Sequence, residues 1–258
     1  MNIAIITGAS SGLGREYAHL LDQEALDEIW LIARRKDRLE DVNEELYTPC
    51  RILAYDLSQP ESLEKIASLL QEMPHLTIRW LINAAGFGRI GLCEEIGAAE
   101  TVKLIDVNCR AAAALTELCL LYLSTGSHVV EVASCAAFQP IPYLAAYAAS
   151  KAFLLSYSRA LAIELEPREI SVTAVCPYWI KDTEFIEKAR QSDGHHLFHG
   201  FPFCGTCTDI AKRSLQAARK GKVLCTPDWV STAHHVLTAM VPTNILVRAS
   251  IWYRKIAR

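Results

Sequence analysis

A chain of 258 residues, 51% hydrophobic and 21% charged, can build one sizeable α/β core and lacks the composition of a disordered segment. A formal charge of −3 without a long basic run excludes the electrostatic footprint of a nucleic-acid binder, and no uncharged apolar stretch reaches the ~18 residues of a membrane span. Nine cysteines, an odd number, read as reduced and buried small side chains rather than as a disulfide framework, so a cytoplasmic setting is expected.

The first predicted element is the apolar run Ile3-Ala4-Ile5-Ile6, too short for the apolar core of a signal peptide. It enters Thr7-Gly8-Ala9-Ser10-Ser11-Gly12-Leu13-Gly14 and then a helical pattern through Tyr17, Ala18 and Leu21. Strand, glycine turn and helix in this order form an entrance for a dinucleotide. Gly8 permits the tight turn, Gly12 admits a pyrophosphate to the backbone, Gly14 lets helix and sheet pack closely, and the helix N-terminus faces the phosphates. The spacing is G-x-x-x-G-x-G rather than G-x-G-x-x-G. A second strand, 29–32, ends at Ala33-Arg34-Arg35-Lys36, where NAD-selective proteins place an acid on the adenosine ribose. Ala33 stands there instead and Arg34 follows. A guanidinium meets a 2′-phosphate through charge-assisted bonds of roughly 1.5–3 kcal/mol each, so NADP(H) is expected in preference to NAD(H).

Strand-like runs at 52–54, 80–82, 129–132 and 172–175 then alternate with helical patterns at 38–46, 61–73, 100–123 and 148–165. This alternation predicts right-handed β-α-β crossovers and a doubly wound parallel sheet of about seven strands, with helices on both faces. Without an internal repeat or a break in composition, residues 1–258 read as one Rossmann-like domain. At the start of the last of these helices Tyr147, just ahead of the pattern, and Lys151 are four residues apart and share a face. An ammonium beside a phenol that ordinarily titrates near ~10 favours the phenolate, which fits Tyr147 for proton exchange at neutral pH. From 178 to 207 the periodicity degrades into a stretch rich in aromatics, with Tyr178, Trp179, Phe185, Phe198, Phe201 and Phe203. Within it Cys204 and Cys207, downstream of His195, His196 and His199, are types found at zinc or redox sites. One C-x-x-C pair is weak, Thr206 or Thr208 reads as the N-cap of the next helix, and no metal is expected.

Taken together, the glycine turn, Asn83-Ala84-Ala85-Gly86 after an apolar strand, Asp106-Val107-Asn108, the strand ending at Ser134 and Tyr147-x-x-x-Lys151 resemble the short-chain dehydrogenase/reductase family in its compact, NADP(H)-dependent form. The resemblance runs nearly the whole length and implies an oxidoreductase that interconverts a carbonyl and a secondary alcohol. It implies Tyr147 as general acid/base, Ser134 as the group that orients and stabilises the oxygen, Lys151 on the nicotinamide ribose and Asn108 beside a proton-relaying water chain. By the same resemblance the cofactor-binding set is Gly8, Ser10, Ser11, Gly12, Leu13, Gly14, Arg34, Arg35, Asp56, Leu57, Asn83, Ala84, Ala85, Gly86, Tyr147, Lys151, Pro177, Ile180 and Thr183. Asp56 would accept from the adenine amine. Some NADP-dependent relatives carry a second basic residue where this chain has Ser11, which leaves Arg34 to act with Ser10 and Arg35. Relatives also continue Pro-Gly-x-x-x-Thr after the sixth strand, whereas Pro177 here precedes Tyr178 and Trp179, so these aromatics are expected to wall a substrate pocket with Ser134 under a lid at 178–207. The substrate is expected to be an apolar ketone, hydroxysteroid-like among others. A non-catalytic cofactor-binding sensor or scaffold, and an epimerase or dehydratase, are the alternative readings. The Ala-rich face of the Tyr147 helix with 104–123 is expected to pair copies into a homodimer or homotetramer. The short basic tail at 248–258 has a membrane-surface helix as its lesser reading.

Overall fold

The computed structural model describes residues 1–192 and 203–256, with side chains described up to residue 249. The strands are β1 (Asn2–Thr7), β2 (Glu28–Ala33), β3 (Cys50–Ala54), β4 (Thr77–Asn83), β5 (His128–Val132), β6 (Ser171–Val175) and the short β7 (Leu224–Cys225). The helices are α1 (Gly12–Leu21), α2 (Lys36–Glu44), α3 (Pro60–Gln71), α4 (Cys93–Ile96), α5 (Ala98–Ile105), α6 (Ala112–Cys119), α7 (Ala145–Leu165), α8 (Phe185–Arg190), α9 (Cys207–Arg219), α10 (Trp229–Met240) and α11 (Thr243–Ile256). All strands are parallel in the order β3-β2-β1-β4-β5-β6-β7, which is the doubly wound sheet expected from sequence.

Period-two alternation explains why both faces are covered. In β1, Ala4 and Ile6 join a core with Leu13, Tyr17 and Leu21 of α1 and Ile210 and Leu215 of α9. Ile3 and Ile5 point the other way, onto Leu63, Ile66 and Leu70 of α3 and Leu161 and Leu165 of α7. Burial of each such Leu or Ile stabilises the fold by about 1.5–3 kcal/mol. The chain reverses its strand order between β1 and β4, and parallel sheets open a crevice at their carboxyl ends at such a point.

The predicted helix over 100–123 is divided. Between α5 and α6, Asp106–Ala111 forms a π-helical turn, and a 3-10 turn at Leu120–Tyr122 follows α6. Asn108 sits fully buried in the π-helical turn: its side-chain oxygen accepts from the Phe87 backbone N–H at 3.0 Å, and its amide nitrogen donates to the Phe87 carbonyl at 2.9 Å and to Ser150 Oγ at 3.0 Å. As the sequence suggested, Thr206 caps α9, its hydroxyl accepting from the Asp209 N–H. No described helix is long and apolar enough to cross a membrane.

Candidate active site

A cleft of about 530 Å³ follows the carboxyl ends of the strands. Its floor on one side is main chain. Gly8, at φ +70°, lies where a Cβ would meet the backbone of Ala84 and Ala85 at 2.9–3.0 Å, and a Cβ on Gly14 would stand 2.2 Å from the Gly8 carbonyl oxygen. Thr7 ties the two strand ends, its hydroxyl accepting from the Ala85 N–H at 3.0 Å. The α1 N-terminus, with Ser10, Ser11, Gly12, Leu13 and Gly14, therefore opens directly onto the cleft beside Ala84, Ala85 and Gly86.

Arg34, Arg35, Asp56 and Leu57 line the same end. Arg34 is exposed to solvent. Arg35 instead turns inward: Nη2 donates to Ser11 Oγ at 3.0 Å and Ser10 Oγ at 3.3 Å, and Nη1 to both carboxylate oxygens of Glu184 at 3.0 and 3.2 Å. Burial opposes ionisation of Asp56, but the Ser58 N–H and hydroxyl, with the charges of Arg34 and Lys103, hold its carboxyl below the ordinary range.

At the other end α7 brings Tyr147 and Lys151 under the tip of β5, where Ser134 follows the strand. Ser134 also caps the turn Cys135–Phe138, its oxygen accepting from the Ala136 N–H at 3.1 Å, which leaves its hydroxyl hydrogen to donate. Lys151 Nζ donates to the Val132 carbonyl at 2.7 Å and lies 5.8 Å from the Tyr147 ring centroid. The expected acidity of the phenol is corrected here. Burial raises Tyr147 above a free phenol, opposed by the Ser134 hydroxyl, and lowers Lys151 to about 8, because a low-dielectric site penalises both charges. The ammonium's nearby carboxyl is Glu131 on β5, fully buried, which accepts from Asn83 Nδ2 at 2.7 Å and Thr116 Oγ1 at 2.8 Å and is itself pushed up to about 7 by burial.

Two expected site residues lie behind the cleft wall rather than on it. Asn83 is buried against Thr116 and Glu131, and its side chain does not line the cleft. Asn108 locks Phe87 to α7, and a Cβ on Gly86 would fall 3.2 Å from its Oδ1 and 3.3 Å from Lys151 Nζ. The remaining expected residues, Pro177, Tyr178, Trp179, Ile180 and Thr183 among them, line the cleft. The Pro177 carbonyl accepts from Cys135 N–H, the Ile180 carbonyl from the Thr183 hydroxyl at 3.3 Å, and Thr183 Cγ2 faces Gly12. Trp179 and Phe185 continue as an aromatic wall to Tyr147, with centroids 6.3 and then 5.4 Å apart.

Sequence reasoning did not find Glu131, Gln139, His234 or Glu184. Glu131 carried a visible signal, an acid inside an otherwise apolar buried strand. Gln139 and His234 line the cleft, and Gln139 Oε1 and His234 Nδ1 are buried without a hydrogen-bond partner. Burial, with the charge of His235, holds His234 below its ordinary value. Cys207 is buried with its N–H on the Asp182 carboxylate, Cys204 is half-buried, and His195, His196, His199, Phe198 and Phe201 lie outside the described residues. No group of three or more potential metal ligands occurs among the described residues.

A parallel doubly wound sheet with a glycine turn at its switch point, and Ser134, Tyr147 and Lys151 at the facing rim, defines the Rossmann-like class. The profile of the family described as short chain dehydrogenase matches residues 2–194. A very-long-chain 3-oxoacyl-CoA reductase of Kluyveromyces lactis is 30% identical over 247 residues, covering 91% of this chain and 70% of that protein. An uncharacterized oxidoreductase of Staphylococcus epidermidis is 27% identical over 188 residues, 72% of this chain and 80% of that one. Among solved structures, a short-chain dehydrogenase from Sphingobium yanoikuyae in complex with NADPH superimposes with a TM-score of 0.76 at 25% identity, covering 94% of this chain and 97% of that one. The chain belongs to the short-chain dehydrogenase/reductase family of oxidoreductases.

Proposed function

We propose that this protein is an NADP(H)-dependent reductase of an apolar ketone, or a dehydrogenase of the matching secondary alcohol, with Tyr147 as general acid/base. The observation that carries the reading is the convergence of Ser134, Tyr147 and Lys151 at one end of a cleft whose other end is a glycine turn flanked by two arginines. The residues fit a dinucleotide: the turn leaves a cradle at Gly12 that a Cβ would close against Thr183, and Arg34 follows Ala33, which stands where a ribose-binding acid would be. When bound, a nicotinamide cofactor supplies or accepts the hydride. As negative charge grows on the substrate oxygen, the Ser134 hydroxyl donates a hydrogen bond and Tyr147 gives up its proton. The raised Tyr147 keeps that proton at neutral pH and so suits the reductive direction. Lys151, buried and charged at neutral pH, stabilises the tyrosinate that forms and is held in place by the Val132 carbonyl. Trp179, Phe185 and Leu144 supply apolar walls for a bulky substrate, and the acyl-CoA reductase relative is consistent with such a body. A non-catalytic sensor would have no use for this Ser-Tyr-Lys arrangement. Exposed Phe153 and Ile163 on α7 and Val102 and Ile105 on α5 support pairing into a homodimer or homotetramer, which light scattering reads directly.

The test is a panel of small and bulky ketones assayed by NADPH and NADH oxidation in parallel. Turnover with NADPH on a bulky apolar ketone is the expected result, and turnover equally efficient with NADH would reject the cofactor assignment.

A further inference from the structure

We infer that Glu184 narrows the cofactor preference of this protein by occupying Arg35 as an internal substitute for a phosphate, an inference that rests on the NADP(H) reading. Arg35 presents a planar, forked donor set, and the carboxylate of Glu184 accepts from Nη1 with both oxygens, at 3.0 and 3.2 Å. The other arm of the same guanidinium reaches Ser11 Oγ and Ser10 Oγ in the glycine turn, so Arg35 puts a positive charge just ahead of Gly12 although the chain itself has serine there. Guanidinium and two hydroxyls converging at one end of the cleft are the donors a phosphate ester would use. Glu184 reaches the same donors from the opposite rim. It precedes α8, next to Thr183, whose methyl faces Gly12, and it is shared with Lys188 at 2.5 Å.

The arrangement sets a competition. A 2′-phosphate brings three acceptor oxygens and about two negative charges against one carboxylate, and it must displace Glu184 from Arg35 to use the fork. A cofactor without that phosphate leaves the Arg35–Glu184 pair intact and loses nothing by it. Glu184 therefore weakens NADPH binding selectively and narrows the preference that Arg34 and Arg35 create. The ion pair is about one-third exposed on each side, so its hold is modest and a phosphate can break it.

Equilibrium titration tests this without turnover, using NADPH, NADH and the fragments adenosine 2′,5′-bisphosphate and 5′-AMP on the wild type, Glu184→Gln, Arg35→Met and the double variant, each checked by thermal melting. Glu184→Gln keeps the size and a hydrogen-bonding amide. It is expected to tighten NADPH and the bisphosphate by about three- to tenfold and to leave NADH and AMP within about twofold. The gain should vanish when Arg35 is methionine. Unchanged bisphosphate affinity in folded Glu184→Gln overturns the inference. So does a gain that persists without Arg35, since Glu184 would then act only by repelling charge at a distance. Equal affinity of the wild type for bisphosphate and AMP instead rejects the NADP(H) reading itself, so the two failures are distinguishable.

Discussion

On the β1–β4 side of the cleft the wall is mostly main chain: the turn from Gly8 to Gly14, the Ala84-Ala85-Gly86 segment stacked on it, and a few side chains at the strand ends. On the β5–β6 side it is made of side chains from separate stretches, with Ser134 and Gln139 after β5, Tyr147 and Lys151 on α7, Trp179 and Phe185 after β6 and His234 on α10. A wall of backbone tolerates little change in local sequence, because a Cβ at Gly14 collides with a carbonyl oxygen. A wall of side chains can be rewritten one residue at a time. In the proposed enzyme the first half keeps one cofactor and the second half adapts to a substrate.

The largest effect that can sharpen this contrast is on turnover alone. Tyr147→Phe removes one oxygen from the side-chain half, so kcat on an identified ketone should fall by about 10²–10⁴-fold while NADPH affinity stays unchanged. Near-full turnover in steady-state assays would end the mechanism proposed for Tyr147. The seam between the halves is probed by Glu131→Gln. A folded carboxyl held near 7 prefers its proton, whereas the unfolded one ionises near the ordinary 4.5. Wild-type stability relative to the variant should therefore be greatest below pH 4.5 and decline as pH rises to about 7, by on the order of 3 kcal/mol. Urea unfolding of both proteins across that range measures it, and parallel profiles would mean that Glu131 is not protonated in the fold.

Arg34→Ala acts on the backbone half alone. NADPH affinity should drop by about ten- to a hundredfold with NADH spared, the worth of one charge-assisted bond, and equal losses for both cofactors in a fluorescence titration would break the assignment of Arg34 to a 2′-phosphate. The smallest effect belongs to Trp179→Ala. It should reorder ketones by kcat/KM, with the ratio of bulky to small substrates changing about tenfold, and leave NADPH affinity within about twofold. An unaltered ranking would remove Trp179 from the substrate wall.

The same contrast explains what could be read in the sequence. Sheet, crossovers and glycine turn were legible because each depends on a contiguous pattern, such as Ile3-Ala4-Ile5-Ile6 running into Gly8. Ser134, Tyr147 and Lys151 were legible because a strand end and a single helix carry them at fixed spacing. The burial of Asn83 was not legible, because a strand's alternation does not reveal whether its last side chain lines the cleft or, as here, packs on Thr116 and Glu131. Glu184 and His234 were not found because their neighbours are far away in the chain: Arg35 for the first, 149 residues earlier, and the backbone at Cys135 for the second. The acidity of Tyr147 was misjudged because helical spacing gives proximity to Lys151 but says nothing of burial.

The π-helical turn at Asp106–Ala111 holds one residue more than a regular helix would need over the same rise. Deleting a single residue there would turn α5 and α6 into one regular helix with both flanks in their present register and close the wide turn that presents Asn108. Asn108 would leave Phe87 and Ser150, and the support beneath Gly86 and Lys151 would go with it. At this spot a shorter chain would be a more regular and easier helix, so the extra residue is a standing expense in local order whose return is collected across the helix, at the rim of the cleft.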